Sequence, residues 1–545
     1  MPEPTVPVPR KARVLTAGLA VVAAGALLAG CAGGPTTQSA APAEPQSGGV
    51  LRVGVGEGLI CVDPHQVYTY DGWAVSSAIT DSLTDLDPKT NEVVPLLATD
   101  WTVNEDASEY TFHLRDDVTF SDGTEFTAQS VKNNLDDTLA NTPGSSGVPV
   151  YLGSYVETLV DDPYTATVRF SQPNPAFLIG TSTPTLSMLA DATFESTPDE
   201  RCQGDVIGTG PFVLDEFRPG QGATLSGREG YSWGSSLNAH DGDAYLDGIE
   251  FSIVSSGSVR EGQVGSGQLD VAWGIGTRAV EELERSGSEV ISRVVSGMPM
   301  SLLANTTDGR ILADPAVRDA LQITFDREGA TAAASNDVYQ AATSVLAAGM
   351  YGWADVSGRF ATDTEAAAQI LEDAGWVEGP DGIREKDGAP LEVEVVYSED
   401  LGPVYGPTIT LLQEQAKAVG IDLVLTPTTA AALSQASVDL TYDLMSTNIT
   451  QSDPNVLALI LDYVIPDKDL LASEGITDLM AESSTLPNGP EREAVLKELQ
   501  EALIDSGLIL PIWDAVELTA VAPNAAGVRF DAQAKLDFYD AWLAK

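Results

Sequence analysis

Basic residues are scarce: 28 Lys and Arg stand against 80 Asp and Glu in 545 residues, a formal charge of −52. A phosphate backbone requires clustered Lys and Arg, so this balance argues against nucleic acid as a partner. Cysteine and histidine number three each, which leaves little for a metal cluster and makes a Ser-His-Asp triad hard to place. No H-E-x-x-H occurs. The longest apolar stretch, Val14 to Gly30, stops short of the roughly 20 residues that span a bilayer core. Gly54-x-Gly56-x-Gly58 has the wrong spacing for a dinucleotide loop, and Cys61, Pro64 and His65 follow where a helix would have to start. A glycosidase needs only two carboxylates, and with 80 acids its residue types are never lacking.

What is present is the composition of a globular chain. The hydrophobic fraction is 43%, with 8 Trp, 15 Tyr and 13 Phe, the residues that a disordered acidic chain lacks. At about 150 residues per domain, the length suggests roughly three domains. Arg10, Lys11 and Arg13 precede the apolar stretch, and Leu28-Ala29-Gly30-Cys31 resembles the bacterial lipoprotein signal, in which cleavage before the Cys frees it for acylation. The expectation is a signal peptide over 1–30, a lipid on Cys31, and a flexible tether over 31–49 rich in Ala, Pro and Gly. Anionic headgroups repel so acidic a surface, so the acyl chains would do the tethering, on the extracellular, periplasm-equivalent face of the membrane. Cys61 and Cys202 are then the remaining thiols. Export favours their pairing as a disulfide, and the alternative, a reactive Cys, has no companion His motif.

From Val50 onward, strand and helix periods alternate. Tyr110, Phe112 and Leu114 alternate with polar residues as in a half-buried strand, Asp122-Gly123 turns the chain, and a helix is expected after Thr127. Thr165 to Phe170 is a further strand. Asp314 caps a helix with Pro315 at its first position, where the missing N–H costs nothing. Another helix ends at Gly375. Leu391–Tyr397, Thr408–Val419 and Ile421–Leu425 form a βαβ unit, and the helix through Val495 and Leu503 followed by Leu508 to Trp513 repeats the theme.

Several blocks carry a resemblance. Leu83 to Pro88, Pro95 to Ala98, Trp101, Phe112 to Gly123, Gly208 to Phe212, Asp270-Val271, Asp314 to Arg318, Asp326-Arg327, Ala374 to Trp376 and Asp453-Pro454 stand in the order seen in the extracellular solute-binding proteins of family 5. These are the dipeptide, oligopeptide and nickel receptors of ABC importers, and the likeness runs from Val50 to the C-terminus. It implies an α/β, two-lobed periplasmic-binding-protein fold (type II, Venus-flytrap) with an extra subdomain in the first lobe. The first lobe would use 50–80, 200–297 and 515–545, with 81–199 as the extra part, and the second lobe 298–514. Chain crossings near Ser296 to Ser301 and near Trp513 would form the hinge.

The resemblance also implies the function: capture of a small solute, with a peptide leading, between closing lobes, and delivery to an ABC permease by a monomer that needs no cofactor, metal or covalent chemistry. The same fold holding a sugar, opine or metal chelate, or serving in signalling, is the alternative. Most family blocks read as architecture. Cleft candidates come from strand ends and interlobe loops: Gly56, Glu57, Tyr68, Trp273, Tyr351, Trp353, Asn448, Thr450, Asp453 and Trp513. Peptide receptors of this family often place an amine-binding Asp three positions before the Asp of the Asp-Pro block, and here that position is Thr450. Nickel receptors lean on His, whereas His113 lies in the strand block, His65 is expected to face solvent in a loop, and only His240 remains.

Overall fold

The computed structural model describes residues 44–142, 147–398, 402 and 404–544. The signal peptide, Cys31 and the tether up to residue 43 lie outside the described residues. Among those described, no helix is long and apolar enough to cross a membrane.

Three sheets organise the α/β chain. The largest has seven strands in the order Glu289–Val294, Val516–Val521, Val271–Trp273, Val50–Val55, Gly248–Ile253, Gly222–Gly227 and Phe212–Arg218. Its centre is parallel, Val50–Val55 running beside Gly248–Ile253 and Val271–Trp273, and its flanks are antiparallel. The second has five strands in the order Asp422–Thr428, Glu392–Ser398, Leu444–Thr450, Gly297–Ala304 and Ile509–Trp513. The third, of four antiparallel strands, spans Ala98–Val103, Glu109–Leu114, Thr165–Phe170 and Tyr155–Asp162, and packs over Tyr110, Phe112 and Phe177.

The five-stranded sheet shows why the sequence period is legible here. Val393 and Val395 point into one apolar layer and Val396 into the opposite one, because successive strand side chains alternate faces. Helices cover both layers, so strand Gly297–Ala304 is buried at every position. Each Val or Leu so buried contributes about 1.5–3 kcal/mol. Glu392–Ser398 and Asp422–Thr428 are parallel and joined by helix Tyr405–Ala418, the expected βαβ unit. The segment after helix Pro490–Asp505 does not repeat it: Ile509–Trp513 is antiparallel to Gly297–Ala304. The periodicity of a strand reports its buried face and not the direction of its partner.

The chain passes between the seven-stranded and five-stranded sheets twice, through Val295-Ser296 and through Asp514-Ala515. The crossings run side by side, with the Val295 amide donating to the Ala515 carbonyl at 2.8 Å. Gly297 opens the strand beyond the first crossing at φ +129°, where an added Cβ would lie 2.1 Å from the Ile449 carbonyl oxygen. Only glycine fits that approach. Cys61 and Cys202 are joined as a disulfide, which ties the loop after Val50–Val55 to the short helix Pro198–Cys202.

Candidate functional site

Where these layers meet, a small cavity opens to solvent. Trp73 enters it from helix Tyr70–Ile79, Tyr151 from Val148–Leu152, and Thr183 to Thr185 from the adjoining turn. Ser296 lies at the first crossing, Thr450 to Ser452 follow a strand of the five-stranded sheet, and Gln533 comes from the C-terminal segment. Local sequence explains the placement of each wall. Thr69 caps its helix, its hydroxyl accepting from the Gly72 amide at 3.3 Å, and so sets Trp73 one turn in. Thr450 pairs with Gly297, and the Gln451 amide donates to the Ser296 carbonyl at 3.1 Å, which fixes that wall to the crossing.

Among the described residues, no Asp, Glu, Lys or Arg lines the cavity, although the chain carries a charge of −52. The lining is hydroxyls, amides, proline and rings. Two buried donors, Trp73 Nε1 and Gln451 Nε2, have no hydrogen-bond partner. Each such group costs about 1–3 kcal/mol unless an acceptor arrives. Burial pushes the Tyr151 hydroxyl well above the usual phenol range beside Ser452, so it stays a neutral donor. The Tyr70 hydroxyl, raised first by burial and next by the Glu517 charge, stands beside Thr450, yet no hydrogen bond of ordinary geometry joins it to a partner.

Of the residues expected from sequence, Thr450 lines this cavity. Gly56 follows the strand Val50–Val55 and does not line the cavity: its amide donates to Asp71 Oδ1 at 3.1 Å, and that of Gly58 to Asp71 Oδ2 at 2.9 Å. Glu57 and Tyr68 are exposed. Trp273 is buried in the seven-stranded sheet and donates Nε1 to Glu517 Oε2 at 2.7 Å. Tyr351 accepts from the Gly489 amide at 2.8 Å, and Arg492 lies over its ring. Trp353 is half-buried with an unpartnered Nε1, and Asn448 is half-buried in its strand. Trp513 is buried edge-on to Tyr405 in the core of the five-stranded layer. Asp453 is fully buried and takes Arg492 Nη2 and Nη1 at 2.9 and 3.0 Å, so both its oxygens are already held.

The histidines also separate. His65 is not solvent-facing: it is fully buried, with Nε2 against the Ser187 carbonyl at 2.8 Å and Nδ1 against Thr138 at 3.1 Å. A loop position says nothing about what folds over it. Among the described residues no His, Cys, Asp and Glu cluster is arranged to hold a metal ion. A G-x-S-x-G string, Gly230 to Gly234, escaped the sequence analysis; its Ser232 is exposed in a segment that is neither strand nor helix, unlike the strand-to-helix turn of a hydrolase nucleophile. Sequence reasoning also missed Trp73, Tyr151, Gln451 and Gln533. Trp73 had a signal, since it follows Tyr70 at helical spacing directly after a candidate loop.

The profile described as bacterial extracellular solute-binding proteins, family 5 Middle, matches residues 92–466. The chain is 27% identical over 328 residues to the glutathione-binding protein GsiB of Escherichia coli, covering 60% of this chain and 62% of that one. It is 24% identical to the peptide transport periplasmic protein SapA of Salmonella typhimurium, over 77% of each chain. In structure it resembles the ABC transporter substrate-binding protein CtaP of Listeria monocytogenes, with a TM-score of 0.78 at 19% identity, over 92% of this chain and all of that one. The fold is therefore the two-lobed one of that neighbour.

Proposed function

The chain belongs to the bacterial extracellular solute-binding proteins of family 5, and from that premise we propose that it captures a peptide in the cavity between its sheets and hands it to an ABC permease. The seven-stranded sheet with the C-terminal segment is the ligand-facing part of the first lobe, 81–199 its extra part, and 298–514 the second lobe. The paired crossings at Val295-Ser296 and Asp514-Ala515 are the hinge. One observation carries this reading. Trp73 on the first lobe and Gln451 on the second each hold a buried, unpaired N–H at a cavity without charge. A solute with several oxygen acceptors satisfies both lobes at once and so holds them closed, and a peptide backbone offers such acceptors in series. The names of two relatives agree, one binding glutathione and one transporting peptides.

No covalent step belongs to this function, and the chain works as a monomer. Acylation of Cys31 anchors it at the outer face of the cell membrane; Cys31→Ala is expected to release ligand-competent protein to the medium, and retention in the membrane fraction would end that assignment. Mass spectrometry of small molecules freed by denaturing fresh Cys31→Ala protein tests the ligand. Peptides of consistent length are expected. Recovery of a sugar or a metal chelate instead would overturn the peptide reading.

A further inference from the structure

Behind the cavity wall, linked to Trp73 through the rings of Tyr70 and Trp273, stands a carboxylate that no Lys or Arg among the described residues pairs with. Glu517 lies on strand Val516–Val521, hemmed in by protein yet still reached by solvent. Trp273 Nε1 donates to its Oε2, and among the described residues no other hydrogen bond reaches the carboxylate. The cross-strand neighbour is Arg293, which turns away and donates Nη2 to the Pro88 carbonyl at 2.8 Å. Asp71, whose charge acts on Glu517, is already held by the Gly56 and Gly58 amides.

One ring, Trp273, touches this carboxylate, and those of Tyr70 and Tyr339 stand near enough to feel its charge. Tyr70 meets Trp273 edge-on at 5.8 Å and Trp73 edge-on at 5.3 Å, so one chain of rings runs from Glu517 to the cavity wall. Tyr339, across the hinge, feels the Glu517 charge as Tyr70 does. Two unpartnered hydroxyls complete the surroundings: Tyr70, and Thr519, which is fully buried and two residues along the same face of the strand as Glu517. Burial, opposed by the Trp273 hydrogen bond and reinforced by the Asp71 charge, pushes the Glu517 carboxyl up to about 7. An ionised carboxylate in such a place calls for a counter-charge, and one carboxylate with two hydroxyl acceptors suits the three N–H groups of an ammonium, whereas among the described residues no ligand set for a metal ion is assembled.

We propose that Glu517, with the Tyr70 and Trp273 rings beside it, is the subsite that takes a ligand's ammonium group. This rests on the cavity being the solute site, and it gives the solute a direction: cationic end toward the seven-stranded sheet, acceptors toward Trp73 and Gln451.

The test is calorimetric titration of the exported chain and its E517Q variant with trialanine and N-acetyl-trialanine. Tryptophan fluorescence with tetramethylammonium chloride, against sodium chloride of equal strength, gives an arm independent of peptides. Wild type is expected to prefer the free amine at least tenfold and E517Q to lose that preference. Trialanine bound without preference, or preferred equally by both proteins, overturns the subsite while leaving the peptide reading intact. If trialanine does not bind but tetramethylammonium shifts wild-type fluorescence and not that of E517Q, the subsite stands and the peptide reading falls. No response to either probe overturns the subsite. Should E517Q not fold, the wild-type preference is measured at pH 5 and pH 8. Protonating Glu517 must weaken it at pH 5, although the amine is fully charged there; a preference unchanged at pH 5 overturns the proposal.

Discussion

Asp514 sits in the second crossing with 2% of its surface exposed, its Oδ1 without a hydrogen-bond partner. Burial, opposed only by the Ala348 amide, pushes its carboxyl from 3.8 up to about 7. Below about pH 4 both the folded and unfolded chains hold this proton, and it has no effect on stability. As pH rises toward 7 the unfolded chain releases the proton while the folded chain keeps it, so stability falls across that window and levels off above it. At 1.36 kcal/mol per pK unit, the loss is on the order of 4 kcal/mol. Asp514→Asn abolishes the titration but puts an amide donor where no acceptor stands, at a cost of about 1–3 kcal/mol. The variant is therefore expected to be less stable than wild type at pH 4 and more stable at pH 8, the difference changing sign between. Urea unfolding at several pH values, with the disulfide intact, reads this directly, because every other titrating group cancels in the comparison. A difference that stays constant within about 1 kcal/mol from pH 4 to pH 8 would refute the argument.

Two further outcomes follow from the same structure. Arg492→Met strands the Asp453 carboxylate in a fully buried site, where it keeps only the Asn455 amide at 2.9 Å, and should cost about 3–5 kcal/mol in urea unfolding; a loss below about 1 kcal/mol would mean that water reaches the pair. Gly297→Ala and Gly123→Ala both place a side chain at positive φ, which by itself costs about 1–3 kcal/mol, but only at Gly297 does the new Cβ meet backbone, whereas nothing lies within 4 Å at Gly123. Thermal unfolding should show the Gly297 variant far less stable than the Gly123 variant, and equal midpoints would contradict the close approach.

Much of the fold was legible because local rules and tertiary demands agree in the family blocks. Asp314 caps its helix as expected, accepting from the Ala316 amide at 3.1 Å, and its other oxygen takes Trp376 Nε1 at 3.2 Å and Lys386 Nζ at 2.9 Å. Two blocks distant in sequence are thus one structural joint. Arg327 donates to the Pro511 carbonyl at 2.6 Å, and Asp270 takes Arg52, so these blocks too hold strands in place. Gly208 and Gly210 press on the Ile79 backbone, where a Cβ would come within 2.1 and 2.5 Å. The cavity was less legible for a physical reason. A period of 2 or 3.6 reports which face of an element is apolar, whereas Trp73, Gln451 and Gln533 come from a helix, a loop and the C-terminal segment, whose meeting depends on tertiary packing. Nothing local separates Trp73, which lines the cavity, from Trp513, which fills a core.

The cavity lining is hydroxyls, amides and rings, and the proposed capture of a solute there gives Trp73 a testable signature. In the empty protein its Nε1 is a buried donor without a partner, so Trp73→Phe, which keeps an aromatic ring and deletes the N–H, removes a liability and should leave the solute-free protein equally stable or up to about 1 kcal/mol more stable. Under the proposed function that N–H meets an acceptor in the liganded protein, and the same substitution is expected to remove a hydrogen bond worth about 0.5–1.5 kcal/mol, a loss of roughly 2–12-fold in affinity. A residue that serves only packing would weaken both states together. Thermal unfolding with and without the co-purified solute separates the cases: a variant destabilised as much when empty as when loaded would return Trp73 to the core and take the two-lobed latch with it.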